Sequence, residues 1–113
     1  MRYKTALITG AARGIGLATA QLMTARGYRV AMVDRDVDEL NAVVTNLDQV
    51  EAFFCDVSVP EETEKMVKSV LAWTGQIDVV VNNAGIADFG PIEETDFACW
   101  RRVMATNLDG VFL

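Results

Sequence analysis

Two periods alternate along the chain. Short apolar runs at Lys4–Thr9, Arg29–Val33, Val50–Phe54 and Ile77–Val81 have the length and composition of buried strands. Each stops at a glycine, an acid or an amide: Gly10, Asp34, Cys55-Asp56 and Asn82-Asn83-Ala84-Gly85. Between them the apolar spacing becomes helical. From Gly14 to Gly27 the positions Ile15, Ala18, Leu22 and Ala25 share one face, and Gly27 is a natural stop. Asp36 with Glu39 forms a capping-box pattern ahead of Leu40, Val43, Val44 and Leu47. Ser58 with Glu61 offers another cap, with Pro60 in the first turn and Met66, Val67, Val70 and Leu71 as the core face. A loop with Gly90 and Pro91 precedes a last helical pattern that begins near Thr95 and still runs at Leu113. Strands joined by helices in this rhythm predict an α/β fold, a parallel sheet with helices on both faces. Right-handed crossovers limit its topology to a few choices.

The last helix is too apolar for one buried face. Phe97, Trp100, Val103, Met104, Leu108, Val111 and Phe112 spread over more than one side, which predicts a second partner surface. No stop signal marks Leu113, so the chain is expected to be truncated, with its C-terminal half missing.

Composition narrows the function. At 113 residues the chain holds one domain. Its net charge of −6 argues against nucleic acid, whose phosphates require a basic patch. No run of apolar residues is long enough for a transmembrane helix. The opening MRYKTALITG passes straight into a glycine loop with no small-residue cleavage pattern, so it is expected to be a first strand in a cytoplasmic protein. The sequence has no histidine, and Cys55 and Cys99 are far apart. They predict two free thiols and no metal site.

The chemistry lies where strands end. Thr9-Gly10-Ala11-Ala12-Arg13-Gly14-Ile15-Gly16 follows a strand and opens a helix, the context that a dinucleotide site requires. Gly10 allows the tight turn, Gly14 removes the Cβ from the path of a pyrophosphate, and Gly16 lets the helix pack closely. The N–H groups of the helix start then face the anion. The spacing is Gly-x3-Gly-x-Gly, and no Gly-Lys-Ser/Thr follows, so it is not a P-loop. Asp34 ends the second strand 18 residues beyond Gly16, where an acid is expected to bind the adenosine ribose hydroxyls. The same carboxylate repels a 2′-phosphate: at about 4 Å and an effective dielectric near 20 a like-charge pair costs about 4 kcal/mol. This favours NAD over NADP, although Arg13 and Arg35 lie within reach of a 2′-phosphate. Asp56 is either an acceptor for the adenine amino group, with Val57 against the ring, or a turn aspartate before Ser58. Asn82, Asn83, Ala84 and Gly85 either admit the nicotinamide ribose or form a turn whose amides bond their own backbone.

These features in this order resemble the short-chain dehydrogenase/reductase family. The resemblance covers the whole chain, from TGAARGIG through Asp34 and Asp56-Val57 to NNAG and Asn107-Leu108-Asp109-Gly110. It implies a seven-stranded, three-layer α-β-α Rossmann sheet, of which residues 1–113 supply about four strands and the fifth helix as the N-terminal part of one NAD(P)-binding domain. It implies hydride transfer between NAD(P) and a small alcohol or carbonyl substrate, and dimers or tetramers built on the last helix. Ala12, Arg13 and Ile15 join the glycines as cofactor-binding positions. Asn107 matches the family's catalytic asparagine, whose implied role is to hold a water linked to a catalytic lysine and to shape its helix.

One part of the family pattern is absent. The acid–base group is a Ser with Tyr-x-x-x-Lys, but the only tyrosines are Tyr3 and Tyr28, and Met32 stands where the lysine after Tyr28 belongs. The chain by itself is therefore expected not to catalyse hydride transfer. The competing reading is a non-catalytic nucleotide-binding or oligomerisation module. A receiver-type domain is disfavoured because Thr9-Gly10, not an acidic cluster, follows the first strand.

Overall fold

In a computed structural model, residues 3–113 are described. Met1 and Arg2, the first residues of the opening segment read above, lie outside them. The chain runs β1 (Thr5–Thr9), α1 (Gly14–Ala25), β2 (Arg29–Asp34), α2 (Val37–Val44), β3 (Val50–Phe54), α3 (Pro60–Thr74) and β4 (Val79–Val81). A 3-10 turn at Ile92–Glu94 follows, then α4 (Phe97–Met104), a π-helical turn at Ala105–Asp109 and α5 (Gly110–Phe112).

All four strands are parallel, in the order β3-β2-β1-β4. Side chains alternate across the sheet, so each strand feeds two cores. Ala6, Ile8, Val30 and Met32 pack with Ala20 of α1 and Leu40 of α2 on one face. Leu7, Ala31 and Val33 pack with Met66 and Val70 of α3 on the other. The three-layer Rossmann arrangement follows: the strands are apolar on both faces because both are covered.

The structure corrects several sequence-based expectations. Ile15, Ala18, Leu22 and Ala25 form the exposed side of α1, with Ile15 77% and Leu22 54% exposed. The side that packs carries Gly16, Leu17, Ala20 and Met23. Small residues win there because the helix must approach the sheet closely. The start of α3 is capped differently from the Ser58–Glu61 pattern. Val59 occupies the N-cap without a side-chain bond, Ser58 Oγ donates to Asp56 Oδ1 at 2.6 Å, and Glu62 accepts from the Asp56 N–H at 3.1 Å. Only half of the Asp36–Glu39 box forms: the Asp36 carboxylate accepts from the Glu39 N–H at 3.1 Å, while the Glu39 side chain turns to Arg13. Leu47 lies beyond the end of α2. The last helix starts after Asp96, whose Oδ1 accepts from the Cys99 N–H at 2.7 Å, and it is broken by the π turn.

Because α2 has Leu40 as its buried side chain, Leu40→Ala is expected to cost about 2–5 kcal/mol. Leu22→Ala, on the exposed side of α1, is expected to change stability by less than about 0.5 kcal/mol. Urea unfolding of the two variants, compared at constant m, measures both.

Candidate functional site

In a parallel sheet the carboxyl ends of all strands share one edge, and a crevice opens where the strand order reverses. Here the chain leaves β1 toward β2 and β3, then returns to place β4 on the other side of β1. The reversal therefore falls between the ends of β1 and β4, where Thr9-Gly10 meets Asn82-Asn83-Ala84.

One hydroxyl holds that junction. Thr9 Oγ1 accepts from the Asn83 N–H at 3.0 Å and the Ala84 N–H at 2.9 Å, and donates to the Val81 carbonyl at 3.4 Å. The Asn83 amide returns the tie by donating to the Thr9 and Gly10 carbonyls, each at 3.2 Å. Packing is equally tight. A Cβ on Gly10 would lie 2.9 Å from Asn83 Nδ2, and one on Gly16 would lie 2.1 Å from the Gly10 carbonyl oxygen. Gly10 and Gly14 also have positive φ, +65° and +57°, where a side chain is strained. Gly14 differs in one respect: nothing lies within 4 Å of where its Cβ would stand. Its open side faces a cleft of about 440 Å³.

Gly10, Arg13, Gly14 and Ile15 line this cleft on the glycine-loop side. Asp34, Arg35, Asp56 and Val57 line it at the ends of β2 and β3, and Asn83, Ala84 and Gly85 at the end of β4. The remaining predicted positions contribute from behind or stand apart. Ala12 is buried and acts through its backbone, and Gly16 is buried beneath the loop. Asn82 is exposed and does not line the cleft. Asn107 stands one residue from Thr106, which does. Val33, Asp36, Cys55, Ile86 and Thr106 also line it and were not singled out from the sequence. Asp36 and Cys55 are neighbours of predicted residues, so proximity alone was a signal for them.

Arg13 is the N-cap residue of α1 and makes no side-chain cap, so the helix presents its start to the cleft without an internal acceptor. Asp34, at the end of β2, is tied to the glycine loop just before that helix start. Its Oδ2 accepts from the Ala12 N–H at 3.1 Å and its Oδ1 from the Asp36 N–H at 3.0 Å. A carboxylate has about four lone-pair sites, so acceptor capacity remains on both oxygens.

The charged rim is ordered by ion pairs. Arg13 Nη2 lies 2.7 Å from Asp36 Oδ2, and its Nε donates to Glu39 Oε1 at 3.1 Å. The Glu39 bond raises the Arg13 pKa further, with the Glu39 and Asp36 charges adding to it. The Asp36 carboxyl is held below its usual range, first by the Glu39 N–H and then by Arg13. Asp56 is also held low, first by the Ser58 hydroxyl and N–H and then by the positive charge of Arg35. Asp56 Oδ1 accepts both Ser58 bonds, at 2.6 and 3.0 Å, which is the geometry of a turn aspartate.

At the other end, Asn107 sits in the π turn. Its Oδ1 accepts from the Ile86 N–H at 2.8 Å and its Nδ2 donates to the Ile86 carbonyl at 2.9 Å. The amide thereby clips the last helix to the loop after β4. Gly110 brings the last helix close to the segment after β3 as well, because a Cβ there would lie 2.7 Å from Val57 Cγ2.

Fold and cleft together define a dinucleotide-binding Rossmann architecture. The family model described as short chain dehydrogenase matches residues 4–113, and the chain belongs to that family. It is 38% identical over 114 residues to a D-threitol dehydrogenase of Mycolicibacterium smegmatis, covering 97% of this chain and 44% of the relative. It is 37% identical over 111 residues to a 3-alpha-(or 20-beta)-hydroxysteroid dehydrogenase of Mycobacterium tuberculosis, covering 97% and 43%. Among solved structures it matches a 3-ketoacyl-(acyl-carrier-protein) reductase of Brucella melitensis complexed with NADH, with a TM-score of 0.95 and 32% identity over 99% of this chain and 47% of that one. The chain thus spans about half the length of the relatives it matches. Among the described residues no helix is long and apolar enough to cross a membrane, and no cluster of ligating side chains could hold a metal ion.

Two expectations follow. Thr9→Val leaves the Asn83 and Ala84 N–H groups without their acceptor and is expected to cost about 1–3 kcal/mol for each donor left buried, whereas Thr9→Ser retains stability. Chemical unfolding compares the two. Burial pushes the Cys55 thiol from 9.0 up to about 11, and the charges of Glu62 and Asp56 add to it. A raised pKa stabilises the fold below pH 9.0, and that contribution is lost as pH rises through about 11. At pH 8 its thiolate is about a hundredfold scarcer than in the unfolded chain. Alkylation followed by peptide mapping is expected to show Cys55 protected to at least that extent relative to the chain in urea.

Proposed function

We propose that this chain is the nucleotide-binding part of an oxidoreductase and that its cleft holds NAD. The single observation that carries the reading is Asp34, pinned between the Ala12 and Asp36 N–H groups with acceptor capacity to spare, in a cleft that also holds the uncapped start of α1. The pyrophosphate fits beside Gly14, where no protein atom fills the space of a Cβ. The remaining lone pairs of Asp34 suit the two ribose hydroxyls, and its charge disfavours a 2′-phosphate. The second oxygen of Asp56, outside the Ser58 bonds, is available to the adenine amino group, with Val57 at the ring face. Ala84 and Gly85 leave room for the nicotinamide ribose. Asn82 flanks that turn, and Arg35 sets the charge of the adenine end.

A bound nicotinamide supplies hydride chemistry, which suits a small alcohol or carbonyl substrate and agrees with the family. The residues of this chain bind and orient the cofactor. Asn107 is a positioning residue in this reading, holding the last helix against Ile86 beside the cleft. A general acid has to lie within hydrogen-bond reach of the reacting oxygen. Tyr3 and Tyr28 precede β1 and β2, at the sheet edge opposite the cleft. Neither tyrosine is therefore placed to act as the acid for a substrate bound in this cleft.

A second reading, assembly through the last helix, is favoured by Phe97, Trp100 and Phe112, which are 74%, 50% and 89% exposed. It is compatible with the first, and the partner that fits is a second copy of the protein.

Calorimetric titration with NAD+ and NADP+ tests the cofactor reading. Saturable binding that favours NAD+ is expected, with no oxidation of a secondary alcohol by the 113-residue chain. Asp34→Ala is expected to weaken NAD+ binding by about tenfold or more, since each charge-assisted bond contributes about 1.5–3 kcal/mol. Equal affinity for both nucleotides would remove Asp34 from its assigned role.

A further inference from the structure

Five charged side chains crowd the Asp34 end of the cleft: Asp34, Asp36 and Glu39 against Arg13 and Arg35. Read singly, the two arginines favour a phosphorylated ribose. The arrangement of Arg13 does not. Arg13 follows Ala12, whose N–H is bonded to Asp34, so its backbone stands beside that carboxylate. Its guanidinium is held at the rim. Its Nη2 lies 2.7 Å from Asp36 Oδ2 and its Nε 3.1 Å from Glu39 Oε1, and the same Nη2 also pairs with Glu39 Oε2. Two carboxylates thus occupy two edges of the guanidinium fork, the geometry that would otherwise grip a phosphate. Both acids are themselves fixed. Asp36 caps α2, and Glu39 stands in its first turn. Arg35 stands near enough to Asp56 for its charge to favour that group's ionised form, after the Ser58 bonds.

We infer that Asp36 and Glu39 are specificity determinants: by pairing with Arg13 they withhold one of the two cations that would neutralise a 2′-phosphate, and so they add to the rejection of NADP by Asp34. This rests on the cofactor reading above, and it assigns the selection to a three-residue clamp as well as to one carboxylate. With the clamp closed, Asp34, Asp36, Glu39 and Asp56 stand against Arg13 and Arg35, so a dianionic phosphate enters a site that is already net negative. With the clamp opened, Arg13 can swing to the phosphate, and one fewer carboxylate opposes it for each acid removed.

The test compares NAD+ and NADP+ binding in the unaltered chain, in Asp36→Asn/Glu39→Gln, in Arg13→Ala and in the triple variant. Asparagine keeps the cap on α2, and Glu39→Gln alone, which leaves Asp36 untouched, serves as the milder second variant. The affinity ratio of NADP+ to NAD+ is expected to rise at least about tenfold in Asp36→Asn/Glu39→Gln, to rise less in Glu39→Gln, and to fall back in the triple variant. An unchanged ratio in variants that still bind NAD+ overturns the inference and leaves the cofactor reading standing. A rise that persists without Arg13 also overturns it, because bulk charge is then sufficient. If the unaltered chain binds neither nucleotide, the cofactor reading fails and the inference fails with it.

Discussion

The reversal of strand order between β1 and β4 is the constraint on which the rest depends. Parallel strands leave their last carbonyl and N–H groups facing a common edge, and at the reversal no connecting loop covers them. The Thr9 hydroxyl and the Asn83 amide occupy that gap, making five bonds between the two strand ends. Because these two side chains satisfy the local backbone, the glycine loop is free to run above them rather than into them. Gly10 and Gly16 then press against Asn83 from the loop side, which fixes the height of the α1 start over the sheet. The cleft is therefore built by polar bonds at its floor and by missing side chains at its wall. Hydrophobic burial fixes the layers but does not shape this edge.

The carboxylates at the rim divide their acceptor capacity between structure and binding. Asp34 uses one lone pair on each oxygen for backbone N–H groups, which locks its orientation before any ligand arrives. Asp56 uses one oxygen for Ser58 and keeps the other open. Asp36 spends its oxygens on a helix cap and an arginine. A preset carboxylate loses little side-chain entropy on binding, so more of each hydrogen bond appears as affinity. Both low-held groups, Asp36 and Asp56, owe their shift first to hydrogen bonds and only then to arginine charge. Their ionised forms contribute stability above the normal carboxylate range, which is lost as pH falls through their depressed values.

Much of this was legible in the sequence. Strand ends were marked by Gly10, Asp34, Asp56 and Asn82-Asn83, because chemistry in such a sheet sits where apolar runs stop. The buried face of α1 was not legible. Ile15 and Leu22 dominate any hydrophobic periodicity, yet the packing face carries Gly16 and Ala20, selected for small size. Closeness between backbones leaves a weak hydrophobic signature. The Arg13 clamp was hidden for a related reason: its partners stand 23 and 26 positions away, brought together by the β2–α2 turn. The π turn around Asn107 depends on a contact with Ile86, 21 residues distant, that no local spacing encodes. The Ser58 cap failed because the Asp56 carboxylate, two residues away, claimed the hydroxyl first.

The exposed apolar side chains have a consistent position relative to the cleft. Leu22 lies well along α1 from the loop, and Phe97, Trp100 and Phe112 lie on the last helix, none of them lining the site. Ile15 is the exception, being both exposed and at the cleft wall, where it sits at the start of α1 beside Gly14. The residues proposed to bind nucleotide come from β1 to β4 and the loops that leave them, and their orientations are fixed by bonds within that set. Asn107 and Gly110 connect the last helix to the same set through Ile86 and Val57. The last helix therefore meets the cleft residues through two specific contacts, the Asn107 amide and the Gly110–Val57 approach. In the proposed reading, cofactor recognition belongs to the first four strands and the loops that leave them, and the last helix touches that set at two places, after β3 through Val57 and after β4 through Ile86.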